Sequence, residues 1–177
     1  MNAEPQVTAA RVSTKRPPAG EVIDISIVIP VYNESDSLRP FRHMLSTALE
    51  SITQSVEIIF CDDGSEDGSA TLLDEFAASD PRICVVHLRR NYGQTAAIMA
   101  GIRQSSGAVI VPMDADGQND PADIPGLMAK LDEGYDVVSG WRKNREDRAL
   151  SRKLPSMIAN RLISAVSGVS LTTMAAH

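Results

Sequence analysis

Three carboxylates stand close together in DADGQND (114–120): Asp114, Asp116 and Asp120, directly after an apolar run, GAVIVPM (107–113). Two carboxylates about 4 Å apart repel by roughly 4 kcal/mol at an effective dielectric near 20. Asp, Gly and Asn are also turn formers, so the run can be read as the polar exit from a strand. The alternative is that a cation offsets the repulsion. Mg²⁺ and Mn²⁺ commonly use one or two protein carboxylates and share the rest of their shell with ligand phosphates. In an extended segment Asp114 and Asp116 point to one side, and Gln118 continues that series. The loop alone favours the cation without excluding the turn.

Other phosphate and metal motifs fit poorly. An EF-hand needs Gly at position six and Glu at twelve, whereas Gly117 is at position four and Pro125 at twelve. There is no GxGxxG after the first apolar run and no GxxxxGK[ST] anywhere. DxDG also resembles the nucleophile motif of haloacid-dehalogenase-like phosphatases. That motif follows the first strand and continues with Thr or Ser, whereas here Gln118 follows Gly117, after the fourth predicted strand.

The elements that must carry these loops have a regular rhythm. ISIVIPV (25–31), VEIIFC (56–61), ICVVHL (83–88) and AVIVPM (108–113) are short apolar, β-branched runs that predict buried strands, and YDVVSG (135–140) predicts a fifth. Between them the spacing predicts helices over 35–52, 66–79, 94–106 and 121–134. In the first, Leu38, Phe41, Leu45 and Leu49 share one face and Pro40 is expected in the first turn. Such alternation gives the α/β class, a mostly parallel sheet with helices on both faces.

In that arrangement every strand-to-helix loop lies at the carboxyl edge, where ligands bind. Those loops are PVYNESDS (30–37), DDGSEDGS (62–69), RRNYGQ (89–94) and DADGQNDP (114–121). They hold most of the distinctive polar residues, whereas the opposite loops (TQSV, SDPR, SSG) are plain. The sorting places the site at the carboxyl edge.

The 177 residues suit one domain with a sizeable core, and 43% hydrophobic with 23% charged residues is ordinary for a globular protein. A net charge of -6 argues against a nucleic-acid partner. Cys61 and Cys84 lie in apolar runs and read as buried, reduced thiols. His43, His87 and His177 show no ligand spacing, and Trp141 reads as a packing residue. No run of about 18 apolar residues suggests a membrane span, and the first twenty residues have no signal-peptide core.

PVYNE (30–34), DDGSEDGS (62–69), RNYGQTAAIMAG (90–101), DADGQNDP (114–121) and EGYDVVSGWRKNR (133–145), in this order, resemble family-two glycosyltransferases of GT-A, Rossmann-like fold. Within that family they are similar to the polyprenyl-phosphate glycosyltransferases. The resemblance implies transfer of a sugar from a nucleotide sugar, a UDP-sugar by the bacterial likeness, to a polyprenyl phosphate by inverting displacement. It implies a Mg²⁺ or Mn²⁺ cofactor oriented by Asp114, Asp116 and Gln118. It implies that Pro30, Tyr32 and Glu34, the backbone of Cys61, and Asp63 line the nucleotide site, with Asp63 at the base edge. Asp114, Ala115 and Asp116 would meet ribose and diphosphate, and Arg142 would clamp a phosphate, leaving Asp116 and Arg142 as the catalytic candidates. Asn91 and Gly93 would shape the neighbouring loop. A family-two transferase with a saccharide acceptor, and a non-catalytic nucleotide-sugar-binding remnant, remain alternatives.

These motifs divide the chain into a disordered tail (1–22), the GT-A catalytic domain (23–148), a basic amphipathic helix (149–171) and an atypical end (172–177). Arg142, Lys143, Arg145, Arg148, Arg152 and Lys153 form a basic ridge ahead of apolar positions such as Leu154, Ile158 and Leu162. The pattern fits a helix lying on a membrane surface as well as one packed on a core. The resemblance places the full-length relatives at the cytoplasmic face of a membrane, with this chain soluble or peripheral. Homo-oligomerisation is left open. Relatives continue beyond residue 171 with acceptor-site segments, so low or absent transfer is expected of this chain.

Overall fold

Four of the predicted strands form, each from a short run rich in β-branched residues. A computed structural model of the protein describes residues 11–12, 22–116 and 119–140. They comprise β1 (Arg11–Val12), β2 (Ile25–Val31), α1 (Ser35–Leu49), β3 (Val56–Asp62), α2 (Ser69–Ser79), β4 (Ile83–His87), α3 (Gln94–Gln104), β5 (Val109–Pro112), a 3₁₀ turn at Pro121–Asp123, and α4 (Ile124–Asp132). The strand order is β1-β4-β3-β2-β5. β2 pairs in parallel with both β3 and β5, β3 pairs in parallel with β4, and only β1 runs antiparallel. The α/β class with a mostly parallel sheet therefore holds.

Residue parity assigns the two faces. Ile25, Ile27, Ile29 and Val31 of β2 join Ile58, Phe60, Ile83 and Val85 against α1 and α2, which contribute Leu38, Phe41, Leu45, Leu49, Leu73 and Phe76. Val28, Ile59, Cys61 and Val86 face α3, which answers with small residues, Ala97 and Ala100. A Cβ on Gly101 would collide with the Val28 side chain and stand 2.6 Å from Cys61 Sγ. Small residues thus let α3 settle close onto the sheet, and that closeness fixes where its amino end points.

Several expectations change. Residues 135–140 form no strand. Tyr135 and Val137 are 59% and 84% exposed, and among the described residues no strand pairs with the outer edge of β5. Alternating apolar residues make a strand only where a neighbour completes the ladder and a layer covers them. Among the described residues β5 is accordingly an edge strand and not fully buried, with Ile110 38% exposed. Pro40 lies inside α1, beyond its first turn, so its ring nitrogen gives no hydrogen bond to the preceding turn. α2 starts at Ser69 instead of residue 66 because the Asp67 carboxylate takes the Ser69 amide and hydroxyl. Within the tail, Arg11–Val12 pair with β4, a contact that the tail's composition does not announce.

The amino edge is tied by side chains. Ser26 Oγ donates to Glu57 Oε1 (2.6 Å), the Ser106 amide donates to the same oxygen (2.6 Å), and the Gly107 amide donates to Ser26 Oγ (2.8 Å). This network pins the turn into β5, which must reach the carboxyl edge in register for Asp114 to be placed.

Candidate functional site

Strands β2, β3 and β4 step in one direction across the sheet, while β5 returns to the other side of β2. The strand order thus reverses between β2 and β5, and open α/β sheets bind ligands at the carboxyl edge beside such a point. A cleft of about 350 Å³ lies there. Pro30, Val31, Tyr32 and Glu34 line it from β2, Asp63 from β3, Asn91, Gly93, Gln94 and Ala97 from the β4–α3 junction, and Asp114, Ala115 and Asp116 from β5. Seven of the expected binding residues (Pro30, Tyr32, Glu34, Asp63, Asp114, Ala115, Asp116) thus meet in one place. Asn91 and Gly93 join them.

Two expected residues, Gln118 and Arg142, lie outside the described residues, as does the helix over 149–171. Cys61 is not in the lining. Its side chain is fully buried toward α3, and burial pushes the thiol up to about 12. Asp120 is a helix cap: its carboxylate accepts the Ala122 amide at 3.0 Å. Of the three carboxylates in DADGQND, Asp114 and Asp116 face the cleft.

The DDGSEDGS loop acts largely as a frame for the loop after β2. Asn33 has a left-handed backbone (φ 53°), which Asn tolerates better than most residues. Its amide donates to Ser65 Oγ (3.0 Å), and its side-chain oxygen accepts the Glu66 amide (2.8 Å). The Glu34 amide donates to Ser69 Oγ, and the Ser35 amide to Asp67 Oδ2, each at 2.9 Å. Despite some desolvation, hydrogen bonds from Ser69 and Ser35 hold the Asp67 carboxyl well below the usual range.

Asp63 frames the third loop. It is buried, and its two oxygens accept the Tyr92 and Gly93 amides at 2.8 Å each. Gly64 beside it has φ 73° and packs against Arg90, where a Cβ would lie 2.6 Å from the Arg90 Cα. At the other wall, Gln94 Nε2 donates to Asp114 Oδ1 at 2.7 Å.

His87 carries no ligand spacing in the sequence, yet the fold gives it a defined place. Its Nδ1 lies 2.9 Å from Asp62 Oδ2 and its Nε2 3.3 Å from Asp74 Oδ1. The Asp62 hydrogen bond raises the His87 imidazole above its ordinary value against the cost of burial, with Asp74 adding to it. For Asp62, burial works against ionisation, but hydrogen bonds from His87 and Ser65 outweigh it and the carboxyl is lowered. The raised His87 contributes stability that is complete below about pH 6.5 and lost as pH rises through its folded value. The lowered Asp62 contributes stability present above about pH 4 and lost as pH falls through its folded value. Thermal unfolding should therefore show a midpoint maximum between about pH 4 and 6.5. His87→Asn should flatten the alkaline arm, and an unchanged arm in that variant would remove His87 as its cause.

Among the described residues the cleft is lined by one sign of charge. Glu34, Asp63, Asp114 and Asp116 bring four carboxylates, and no Lys or Arg is among the lining residues described. Among the described residues no three His, Cys, Asp or Glu side chains are grouped to enclose a metal. The oxygen-only pair of Asp114 and Asp116 suits a hard divalent cation completed by ligand oxygens. No helix among the described residues is long and apolar enough to cross a membrane.

Comparison with known proteins places the chain in a family and a fold. The family model "Glycosyl transferase family 2" matches residues 26–173. An undecaprenyl-phosphate 4-deoxy-4-formamido-L-arabinose transferase of Salmonella choleraesuis is 47% identical over 154 residues, covering 86% of this chain and 47% of the relative. A Pseudomonas fluorescens protein of the same name is 46% identical over 150 residues, covering 84% and 44%. The chain thus spans about half the length of the curated relatives it matches. Among solved structures, a mannosyltransferase of Pyrobaculum calidifontis in complex with GDP-Man and Mn²⁺ superposes with a TM-score of 0.53 at 20% identity, covering 65% of this chain and 34% of that one. S. aureus TarS in complex with UDP gives 0.53 at 17%, covering 74% and 40%. These two likenesses show the GT-A-like fold alone. With the family model covering most of its length, the chain belongs to glycosyl transferase family 2.

Proposed function

We propose that the cleft binds the nucleoside diphosphate of a UDP-sugar and that the protein transfers the sugar to a polyprenyl phosphate. The observation that carries this reading is a switch-point cleft into which β2, β3 and β5 bring Glu34, Asp63, Asp114 and Asp116. A divalent cation would offset the repulsion between these carboxylates and a diphosphate, and Asp114 and Asp116 are the pair assigned to it in this reading. The names of the curated relatives support the acceptor class.

In this reading Pro30 and Tyr32 flank the base and ribose, and Asp63 sets the cleft's inner end. Asp114, Ala115 and Asp116 meet ribose and diphosphate. A bound Mg²⁺ or Mn²⁺ supplies charge stabilisation for the departing nucleoside diphosphate. Gln118 as a further ligand and Arg142 as a phosphate clamp extend the proposal from the resemblance. The acceptor is a phosphate oxygen, ionised at neutral pH, so no strong general base is required of the protein.

Calorimetric titration with UDP and with GDP, each with and without Mn²⁺, tests the reading. Mn²⁺-dependent UDP binding is expected. Absence of binding to a folded protein would overturn it, and metal-dependent binding of GDP in preference would correct the base. Incubation with UDP-sugars and either polyprenyl phosphate or a saccharide would then separate the two acceptor classes by which of them raises transfer above the low or absent level expected of this chain.

A further inference from the structure

Gln94 lies outside every role the sequence suggests, yet it is the described residue that reaches across the cleft to Asp114. Its amide nitrogen stands 2.7 Å from Asp114 Oδ1. A carboxylate oxygen only accepts, so the Gln94 NH₂ is the donor. Gln94 is the first residue of α3, and its origin is doubly fixed. Gly93 before it adopts φ 96°, ψ 154°, open to Gly and essentially closed to other residues. The Gly93 amide is bonded to Asp63 at 2.8 Å. Behind it, Ala97, Ala100 and Gly101 seat α3 on the sheet. A frame of this kind holds the Gln94 side chain over Asp114.

We propose that Gln94 is a positioning residue for Asp114: its amide occupies Oδ1, leaving Oδ2 to face the cation. This deepens the proposed donor site and rests on it. Groups that orient a ligating carboxylate typically change metal affinity about 10- to 100-fold when removed. Gln94 therefore acts on the cation requirement, and on the nucleotide only through the cation.

The distinction can be measured on the full 177-residue chain. UDP binding is titrated at increasing Mn²⁺ for wild type, Gln94→Leu and Gln94→Asn, with Mn²⁺ binding followed in parallel by electron paramagnetic resonance. The Leu variant has no donor, and the Asn side chain is one methylene too short. Both should need about 10- to 100-fold more Mn²⁺ for half-maximal UDP binding. Both should regain wild-type UDP affinity once Mn²⁺ is saturating. A structural role or a direct nucleotide contact would not be rescued in this way. An unchanged Mn²⁺ requirement, or UDP affinity that stays low at saturating Mn²⁺, overturns the role of Gln94 while leaving the donor site intact. A folded wild type whose UDP binding ignores Mn²⁺ overturns the donor-site reading, and the Gln94 inference falls with it.

Discussion

Asp116→Asn should abolish Mn²⁺-dependent UDP binding, lowering affinity at least about 100-fold, or roughly 2.7 kcal/mol. Two effects oppose each other in this variant. Removing a carboxylate lessens the repulsion felt by the diphosphate, by about 3 kcal/mol per charge pair at 5 Å and an effective dielectric of 20. It also removes a ligand that would sit about 2 Å from a doubly charged cation. The second effect acts at shorter distance and on twice the charge, so the loss prevails. The opposition has a second consequence that a simple unfolding defect lacks. Metal-free UDP binding, however weak, should be no weaker in Asp116→Asn than in wild type. Calorimetry with and without Mn²⁺ reads both quantities. Equal metal dependence in the two proteins would remove Asp116 from the cation site.

Gly64→Ala should be among the most destabilising small substitutions in the chain. At φ 73° a Cβ is strained by about 1–2 kcal/mol. It would also stand 2.6 Å from the Arg90 Cα and 2.9 Å from the Asn91 nitrogen, backbone atoms that cannot rotate away. The loop must shift, and it is held by the Asp63 carboxylate through the Tyr92 and Gly93 amides. Hydrogen bonds to a charged group contribute about 1.5–3 kcal/mol each. A total loss of about 3 kcal/mol or more is expected, lowering the thermal midpoint by roughly 6–12 °C. Gly68→Ala is the control. Its φ of 96° carries strain, but nothing lies within 4 Å of its Cβ position, so the strain of about 1–2 kcal/mol alone is expected, a smaller drop of about 2–8 °C. Because Asn91, Gly93 and Gln94 line the cleft, Gly64→Ala should also weaken UDP binding. Equal effects of the two substitutions would show that the Arg90 contact is immaterial.

Much of the fold was legible in the chain because it is local or follows from connectivity. Runs such as ISIVIPV become strands because β-branched residues fit a pleated sheet buried on both faces. Leu38, Phe41, Leu45 and Leu49 recur at the helical period and are buried together. Once strands alternate with helices in a parallel sheet, all strands run the same way and the loops between each strand and its following helix fall on one edge. That is why the four loops could be assigned to one edge from sequence order, whereas the individual binding residues within them came from the family resemblance.

Pairing across the sheet was different. Residues 135–140 have the alternation of a strand, but strand formation depends on a neighbour and a covering layer, which alternation does not encode. Pro30 and Cys61 are register partners on adjacent strands, yet Pro30 lines the cleft while the Cys61 side chain is buried against α3. Polar roles were decided by approaches of about 3 Å between residues far apart in the chain. Asp62 and Asp63 are neighbours of one type: the first takes His87 and Ser65, the second the Tyr92 and Gly93 amides. Asp114 and Asp120 belong to one motif, but one meets Gln94 and the other caps a turn. By itself the sequence determined which residues reach the carboxyl edge, since backbone periodicity and chain direction settle that. Only the tertiary structure decided which carboxylates frame the cleft and which face it, because hydrogen bonds depend on where two separate loops come to rest.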